Sequence, residues 1–465
     1  MIQYPREYFE DEYRDGFLVE RTMKCAWAAQ LEVLRHISDI CERHGLKYFA
    51  FFGTLLGAIR HHGFIPWDDD IDIAMLRCDY QKFLAVCKSE LPKEYCVLNC
   101  YDYADWTEVN IRITNGDYID TSEKRMSEYY GCPFSVGVDV YPLDTIPDAP
   151  EVFNQEKEIL NLIATTYQRL GELETEEDVE TQERLKTDAV NGLQMIGEIL
   201  EYQFDFTGSL KSQLLQLFDQ MCQVFSEEEG KLVTTMPTYI KGAEKMVFHK
   251  LWLRENIDFP FEYDTIKVPV GFEACLWARF GANYMVPRQI KSAHDYPFYK
   301  QQKEMLEERS LWADIEKTSK SLINTLFVEE RDSSCLHQEN NAYKAPQGKK
   351  TICYRVSIVE FLQNKEGVLE KIRRALDVFS EAKDTIDMIF VPDEEIMIAL
   401  EDSKIVEEYR QLLEKIEKND CLKHVDENEV QEFVTGIDAF YGDNNSWIYY
   451  FKMMKRPVMI QNIKV

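Results

Sequence analysis

Residues 51–75, FFGTLLGAIRHHGFIPWDDDIDIAM, constrain this chain more than any other stretch. An apolar strand expected over Lys47–Phe52 runs into Gly53-Thr54, and a short helix through Leu55, Leu56 and Ile59 leads to Gly63 and a turn at Pro66. Asp70 and Asp72 then alternate with Ile71 and Ile73. Successive side chains on a strand point to opposite faces, so the alternation sends two carboxylates to one side and two isoleucines to a core. Paired carboxylates suit a hard divalent cation bound through oxygen, the layout of a metal-dependent phosphoryl-transfer site. An acidic pair also fits an exposed sheet edge; the flanking isoleucines and the upstream glycine turn favour the site.

At 465 residues the chain exceeds one ordinary domain, and 45% apolar with 12% aromatic residues can build real cores. Its formal charge of -30, from 83 acidic and 53 basic side chains, opposes nucleic acid and anionic lipid, so no nucleic-acid partner is expected. The opening MIQYPREYFEDEYRDG lacks an apolar h-region, and the longest apolar stretch, residues 48–59, is too short for a span and is broken by Gly53 and Gly57. The expected location is cytoplasmic, with at most peripheral contact at the inner face of the membrane. Twelve cysteines without a C-x-x-C spacing read as reduced, buried small hydrophobes; Cys96, Cys100 and Cys132 form a partial zinc set that lacks a fourth ligand.

Apolar positions Trp27, Leu31, Leu34, Ile37 and Cys41 predict a helix over about Val19–His44, closed by Gly45. Val109, Ile111 and Ile113 alternate with Asn110, Arg112 and Thr114, and GVDVYP sets Asp139 between Val138 and Val140; both read as strands of one α/β catalytic core. Residues 152–246 turn helical and acidic, an insertion wrapping a catalytic core that spans 1–300. Residues 301–348 read as helix and polar linker. Within 349–465, strands over Thr351–Phe361, Thr385–Val391 and Leu422–Val425 alternate with helices over Gly367–Ala382 and Ile405–Ile416, a small α/β domain with a parallel sheet.

The chemistry rests on three acids and one turn. Asp70 and Asp72 supply the first metal ligands; Asp139 is the third and a candidate base for the acceptor's proton. Gly53 lets backbone approach phosphate, and the amides opening the next helix favour anions. Asp68 and Asp69, after Pro66-Trp67, fit turn acids that bond backbone, and Asp144 near Pro142 fits another. Arg60, His61 and His62 are the basic cluster near the acidic strand; Arg60 suits bidentate contact with donor phosphates, or a solvated helix end. Arg112 shares the polar face of Asn110 and suits phosphate too.

GTLLGAIRHHGFIPWDDDIDIAM followed by GVDVYPLD resembles the LicD family, which includes phosphorylcholine transferases and fukutin-type ribitol-phosphate transferases on a nucleotidyltransferase-like mixed sheet with surrounding helices. PVGFEACLWARFGANYMVPR and His294 resemble the family's later block, with Glu273 after Phe272 where an Asp is common. The resemblance implies transfer of phosphorylcholine or a similar phospho-alcohol from a CDP-activated donor to a hydroxyl of a cell-surface glycan such as lipopolysaccharide or teichoic acid, with CMP leaving. It implies Mg²⁺ or Mn²⁺ on Asp70, Asp72 and Asp139 and a phosphate-approach turn at Gly53-Thr54, with Arg279, Tyr284 and His294 as further donor candidates; Arg60, His61 and Arg112, read from the residues themselves, complete the donor-binding set. The closing GIDAFYGDNNSWIYYFKMMKRPVMIQN is similar to the second, Rossmann-like domain of polyol-phosphate transferases that build wall polymers, with Tyr441, Gly442, Asp443 and Ser446 in a strand-to-helix loop. Two other readings fit an acidic pair: a glycosyltransferase using a nucleotide sugar, and a non-catalytic scaffold of glycan assembly.

Overall fold

The structure is a computed structural model that describes residues 2–243, 246–281, 283–289, 296–326, 349–358, 361, 364–393, 396–397, 403–425, 436–443, 447–448, 451 and 456–460. The chain divides into two compact units, Met1–Val270 with Ala278–Glu329, and Gly271–Trp277 with Glu330–Val465. Most of the predicted polar linker, residues 327–348, lies outside the described residues.

In the first unit a hairpin, β1 (Glu12–Arg14) and β2 (Phe17–Val19), precedes the long helix α1 (Arg21–His44). Gly45 ends α1 in the left-handed region at φ 62°, its amide reaching Cys41 O and Glu42 O. There follow β3 (Phe49–Ala50), α2 (Phe52–His61), β4 (Ile71–Leu76), α3 (Arg77–Glu90), β5 (Cys96–Leu98), β6 (Ile111–Thr114), α4 (Glu123–Glu128) and β7 (Gly137–Ile146). The strands form a mixed sheet in the order β3-β4-β7-β6-β5, in which β4 and β7 run parallel and the other neighbours antiparallel. The strand predicted over Lys47–Phe52 shrinks to two residues. Phe51 N donates to Asp72 O (2.9 Å), and Phe52, at φ 41°, turns the chain out of the sheet into α2.

A helical appendage follows: α5 (Pro150–Thr175), α6 (Val179–Leu200) and α7 (Leu210–Met221), packed on their own core of Leu160, Ile163, Leu193, Ile196, Leu214 and Phe218. The chain returns through β8 (Leu232–Thr234), which pairs with the far end of β7, then α8 (Met236–Ile240), β9 (Phe248–His249) and the hairpin β10 (Asn256–Phe261) and β11 (Asp264–Pro269). That hairpin clamps the turn after α2. Glu262 N donates to His62 O (2.7 Å), its carboxylate accepts from Phe64 N (3.1 Å) and from Arg14 (2.7 Å), and a Cβ on Gly63 would run into it. Helices α9 (Phe272–Phe280), α10 (Lys300–Glu308) and α11 (Trp312–Leu326) come next in the chain. Among the described residues no helix is long and apolar enough to cross a membrane.

The second unit holds β12 (Lys350–Val356), α12 (Lys365–Glu381), β13 (Ile386–Pro392), α13 (Ser403–Glu417), β14 (Leu422–His424), β15 (Ala439–Gly442) and β16 (Val458–Ile460). Its five strands are all parallel, in the order β14-β13-β12-β15-β16. β12 ends at Val356, short of the predicted Phe361, where Ser357 N and Ile358 N turn to the carboxylates of Asp443 (2.9 Å) and Asp393 (2.7 Å). Those acids are also ion-paired, Asp443 with Lys371 and Asp393 with Arg355 (2.5 Å). Ser446 lies outside the described residues.

Behind the first sheet, Asp144 is no turn acid. It sits on β7, fully buried, and accepts from Arg77 Nε (2.6 Å), while Arg77 NH1 reaches Asp219 of α7 (2.8 Å). Glu156 of α5 is 3% exposed, and neither of its carboxylate oxygens has a hydrogen-bond partner among the described residues. Burial, then the Asp144 charge, pushes Glu156 from the ordinary 4.5 up to about 8. The folded chain thus holds a proton that the unfolded chain has released, so Glu156 costs stability progressively as pH rises from 4.5 toward about 8. Glu156→Gln is expected to melt higher than the parent, with a gap that widens across that window and then levels off in calorimetric scans. A gap independent of pH would contradict this account.

Candidate active site

The parallel pairing of β4 with β7 sets Asp72 directly beside Asp139, with Ile71 opposite Val138 and Ile73 opposite Val140. Both acids are buried, 9% and 5% exposed, while the alternating aliphatic residues are fully covered. Thr54, in the first turn of α2, accepts from Asp72 N through Oγ1 (2.8 Å), so its hydroxyl braces the acidic strand. From the other side β6 sets Arg112 opposite Asp139. Arg112 grips it with two bonds, Nε to Oδ1 (2.8 Å) and NH2 to Oδ2 (2.5 Å), and Asn110 Nδ2 adds a third (3.1 Å).

Asp68, Asp69 and Asp70 lead into β4 and, among the described residues, are the one set of three acids whose ligand oxygens fall within 4.8 Å of one another. Gly53 has no side chain for a local reason: a Cβ there would occupy the place of Asp68 Oδ2. Trp27 Nε1 and Gln30 Nε2 on α1 hold the carbonyls of Asp68 (3.2 Å) and Asp69 (2.7 Å). The Asp69 carboxylate is fully buried and accepts from Phe298 N (2.5 Å), a backbone contact of the kind expected of a turn acid, made across 229 residues.

This crowding is unfavourable without a counter-charge. Burial, followed by the charges of Asp70, Asp139 and Asp68, drives Asp72 well above the usual carboxylate range. Asp139 is raised as well by burial, against the pull of Arg112, and Tyr141, two residues on along β7, is raised by burial and then by Asp72 and Asp139. A divalent cation favours oxygen donors of this kind and would offset the charge; among the described residues the oxygens that lie within 4.8 Å of one another are those of Asp68, Asp69 and Asp70, and Asp72 and Asp139 do not join that set.

Other predicted residues take different partners. Arg60 NH1 donates to Tyr284 O (2.9 Å), tying α2 to the segment after α9. His61 pairs with Asp15 of the first hairpin (Nε2 to Oδ2, 2.9 Å), and burial, then the Arg60 charge, pushes it down to about 4. His62 stacks on Phe259. Arg279 lies over the Phe52 ring (5.4 Å). His294 is outside the described residues. Cys96, Cys100 and Cys132 belong to no metal-capable group among the described residues. Sequence reasoning passed over Tyr141, although its place two residues after Asp139 was a usable signal, and it passed over Trp106, whose ring lies under the Arg112 guanidinium (5.8 Å).

The fold thus sets a mixed sheet that levels two acids on neighbouring parallel strands, with a glycine turn and further acids at its edge. Residues 45–157 match the family model described as LicD/FKTN/FKRP, nucleotidyltransferase domain. Over these residues the chain is similar to the LicD/fukutin-type family. The lipopolysaccharide cholinephosphotransferase LicD of Haemophilus influenzae is 33% identical over 123 residues, 26% of this chain and 44% of that protein. The human ribitol 5-phosphate transferase FKRP is 39% identical over 54 residues, 12% of this chain and 11% of its own. An uncharacterized Rickettsia prowazekii protein, RP689, is 40% identical over 48 residues, 10% of this chain and 18% of its own. The chain spans less than half the length of each of these relatives.

Because Asp72 is ionised at a cost, Asp72→Asn is expected to melt no lower than the parent in divalent-free buffer at neutral pH, and above it if relief of repulsion outweighs the altered bonding. A marked drop in melting temperature would contradict the repulsion inferred here.

Proposed function

We propose that the protein is a LicD-type phosphotransferase that moves a phospho-alcohol, such as phosphorylcholine, from a CDP-activated donor onto a hydroxyl of a glycan. The observation that carries the reading is the level placement of Asp72 and Asp139 on adjacent parallel strands, with Asp70 at the entrance to β4. The names of the Haemophilus and human relatives, a cholinephosphotransferase and a ribitol 5-phosphate transferase, support the same reaction class.

In this reading the acceptor oxygen attacks the phosphorus that bears the alcohol. The bond from that phosphorus to the oxygen shared with CMP breaks, CMP departs with that oxygen, and the hydroxyl proton passes to a site carboxylate, for which Asp139 is the candidate. Asp70, Asp72 and Asp139 would hold Mg²⁺ or Mn²⁺, which would offset the charge that develops on the departing CMP. Arg112 and Asn110 fix the Asp139 carboxylate in orientation, and Thr54 fixes the backbone that carries Asp72. The acceptor is a glycan precursor met on the cytoplasmic side of a membrane. We read the second unit as a Rossmann-like accessory domain that positions the acceptor or an assembly partner; its uniform parallel pairing and its strand order, 3-2-1-4-5 along the unit, support that assignment.

The test is to incubate the protein with Mg²⁺ and CDP-choline, CDP-ribitol, CDP-glycerol or nucleotide sugars, with and without glycans, and to identify the released nucleotide by chromatography. CMP from a CDP-alcohol, abolished by chelator and by Asp72→Asn, is the expected result. A nucleoside diphosphate released from a sugar donor would assign the protein to glycosyl transfer instead.

A further inference from the structure

The segment that joins β5 to β6, Asn99–Asn110, alternates aromatic and acidic side chains: Tyr101, Asp102, Tyr103, Asp105, Trp106 and Glu108. It is neither helix nor strand, yet hydrogen bonds hold it at both ends and at Trp106. Asn99 Oδ1 accepts from Tyr101 N (2.9 Å) and Asp102 N (3.1 Å), Tyr103 N donates to Asn99 O (3.1 Å), and Trp106 N donates to Tyr103 O (3.1 Å). At one end α7 braces it, with Gln216 Nε2 on Cys100 O (2.8 Å) and the Tyr101 hydroxyl on Asp219 (2.6 Å). At the other end Trp106 Nε1 donates to Asn110 O (3.1 Å), and Asn110 in turn bonds Asp139.

The loop keeps aromatic surface in water. Tyr101 and Tyr103 are each 43% exposed, and Trp106 is half-buried under the guanidinium that grips Asp139. Asp102, Asp105 and Glu108 are exposed between them, and the Glu108 charge is close enough to help raise Asp139 and Tyr141. A pyranose ring matches this mixture: its C–H face packs on an aromatic ring while its hydroxyls donate to carboxylates. A nucleoside diphosphate does not, because its phosphates would meet three acids.

We propose that the Asn99–Asn110 loop is the acceptor platform, on which a sugar ring stacks against Tyr103 and Trp106, donates a hydroxyl hydrogen bond to Glu108, and thereby presents a second hydroxyl to Asp139. The proposal rests on the phosphotransferase reading for its orientation toward Asp139, whereas sugar binding by the loop is measurable without any donor.

The test uses the full chain without donor. A panel of soluble hexose and N-acetylhexosamine oligosaccharides is titrated while tryptophan fluorescence and saturation-transfer NMR are followed, and CDP-choline and CDP-ribitol binding with Mg²⁺ is measured separately by calorimetry. At least one oligosaccharide is expected to bind, and Tyr103→Ala and Glu108→Gln are each expected to weaken it about tenfold, roughly the worth of one stacking or charge-assisted contact, while Tyr103→Ala leaves donor affinity unchanged. Both substitutions fall on exposed side chains, and circular dichroism checks that each variant is folded. No binding across the panel, or variants that change donor affinity instead of sugar affinity, would overturn the proposal. Sugar binding that depends on Tyr103 in a protein that binds no CDP-alcohol would support the platform and count against the proposed donor.

Discussion

The parallel ladder between β4 and β7 is the constraint on which the first unit depends. Its register brings Asp72 level with Asp139 and, through the alternate residues Ile71, Ile73, Val138 and Val140, anchors both strands in the core. A slip of one residue would turn carboxylates inward and isoleucines outward, so the apolar face that stabilises the sheet also fixes the acid geometry. The neighbouring elements reinforce that setting. The Thr54 hydroxyl holds the Asp72 amide, β6 delivers Arg112 and Asn110 to Asp139, and α1 supplies Trp27 and Gln30 to the carbonyls before β4.

Holding so many acids together is destabilising, and the fold meets the cost unevenly. Asp139 has a bidentate guanidinium and an amide, and Asp69 a backbone amide, whereas Asp72 is pushed toward its neutral form by burial and then by its acidic neighbours. Ionising these acids together is therefore costly, and a bound cation would lower that cost, a pattern common where carboxylates serve chemistry rather than packing. A second buried charge group, Arg77 with Asp144 and Asp219, joins α3, β7 and α7. Because Asp219 also receives the Tyr101 hydroxyl, the helical appendage is coupled to the loop whose far end, Asn110, bonds Asp139.

Local periodicity made much of this legible. The Ile-Asp alternation in β4, the Val-Asn-Ile-Arg alternation entering β6 and the glycine closing α1 each depend on residues within a few positions, and their physical reading carries over to the fold. What stayed hidden was partnership across the chain. Arg60 faces Tyr284 O, His61 faces Asp15, Asp69 faces Phe298 N and Asp144 faces Arg77, pairings that no spacing rule connects. The strand before Gly53 is shorter than its apolar run predicts, because the positive φ at Phe52 commits Phe51 and Phe52 to the entry of α2. Gly53 itself suggested close approach of a phosphate; in the fold it makes room for Asp68.

The central claim is that Asp72 and Asp139 act together through a divalent cation. Crystals of the protein grown with Mn²⁺ and a CDP-alcohol, measured at the manganese absorption edge, test it most directly. The account expects an anomalous peak within bonding distance of both carboxylates and of a donor phosphate oxygen. Manganese bound elsewhere, with the Asp72 and Asp139 pair left without it, would contradict the account.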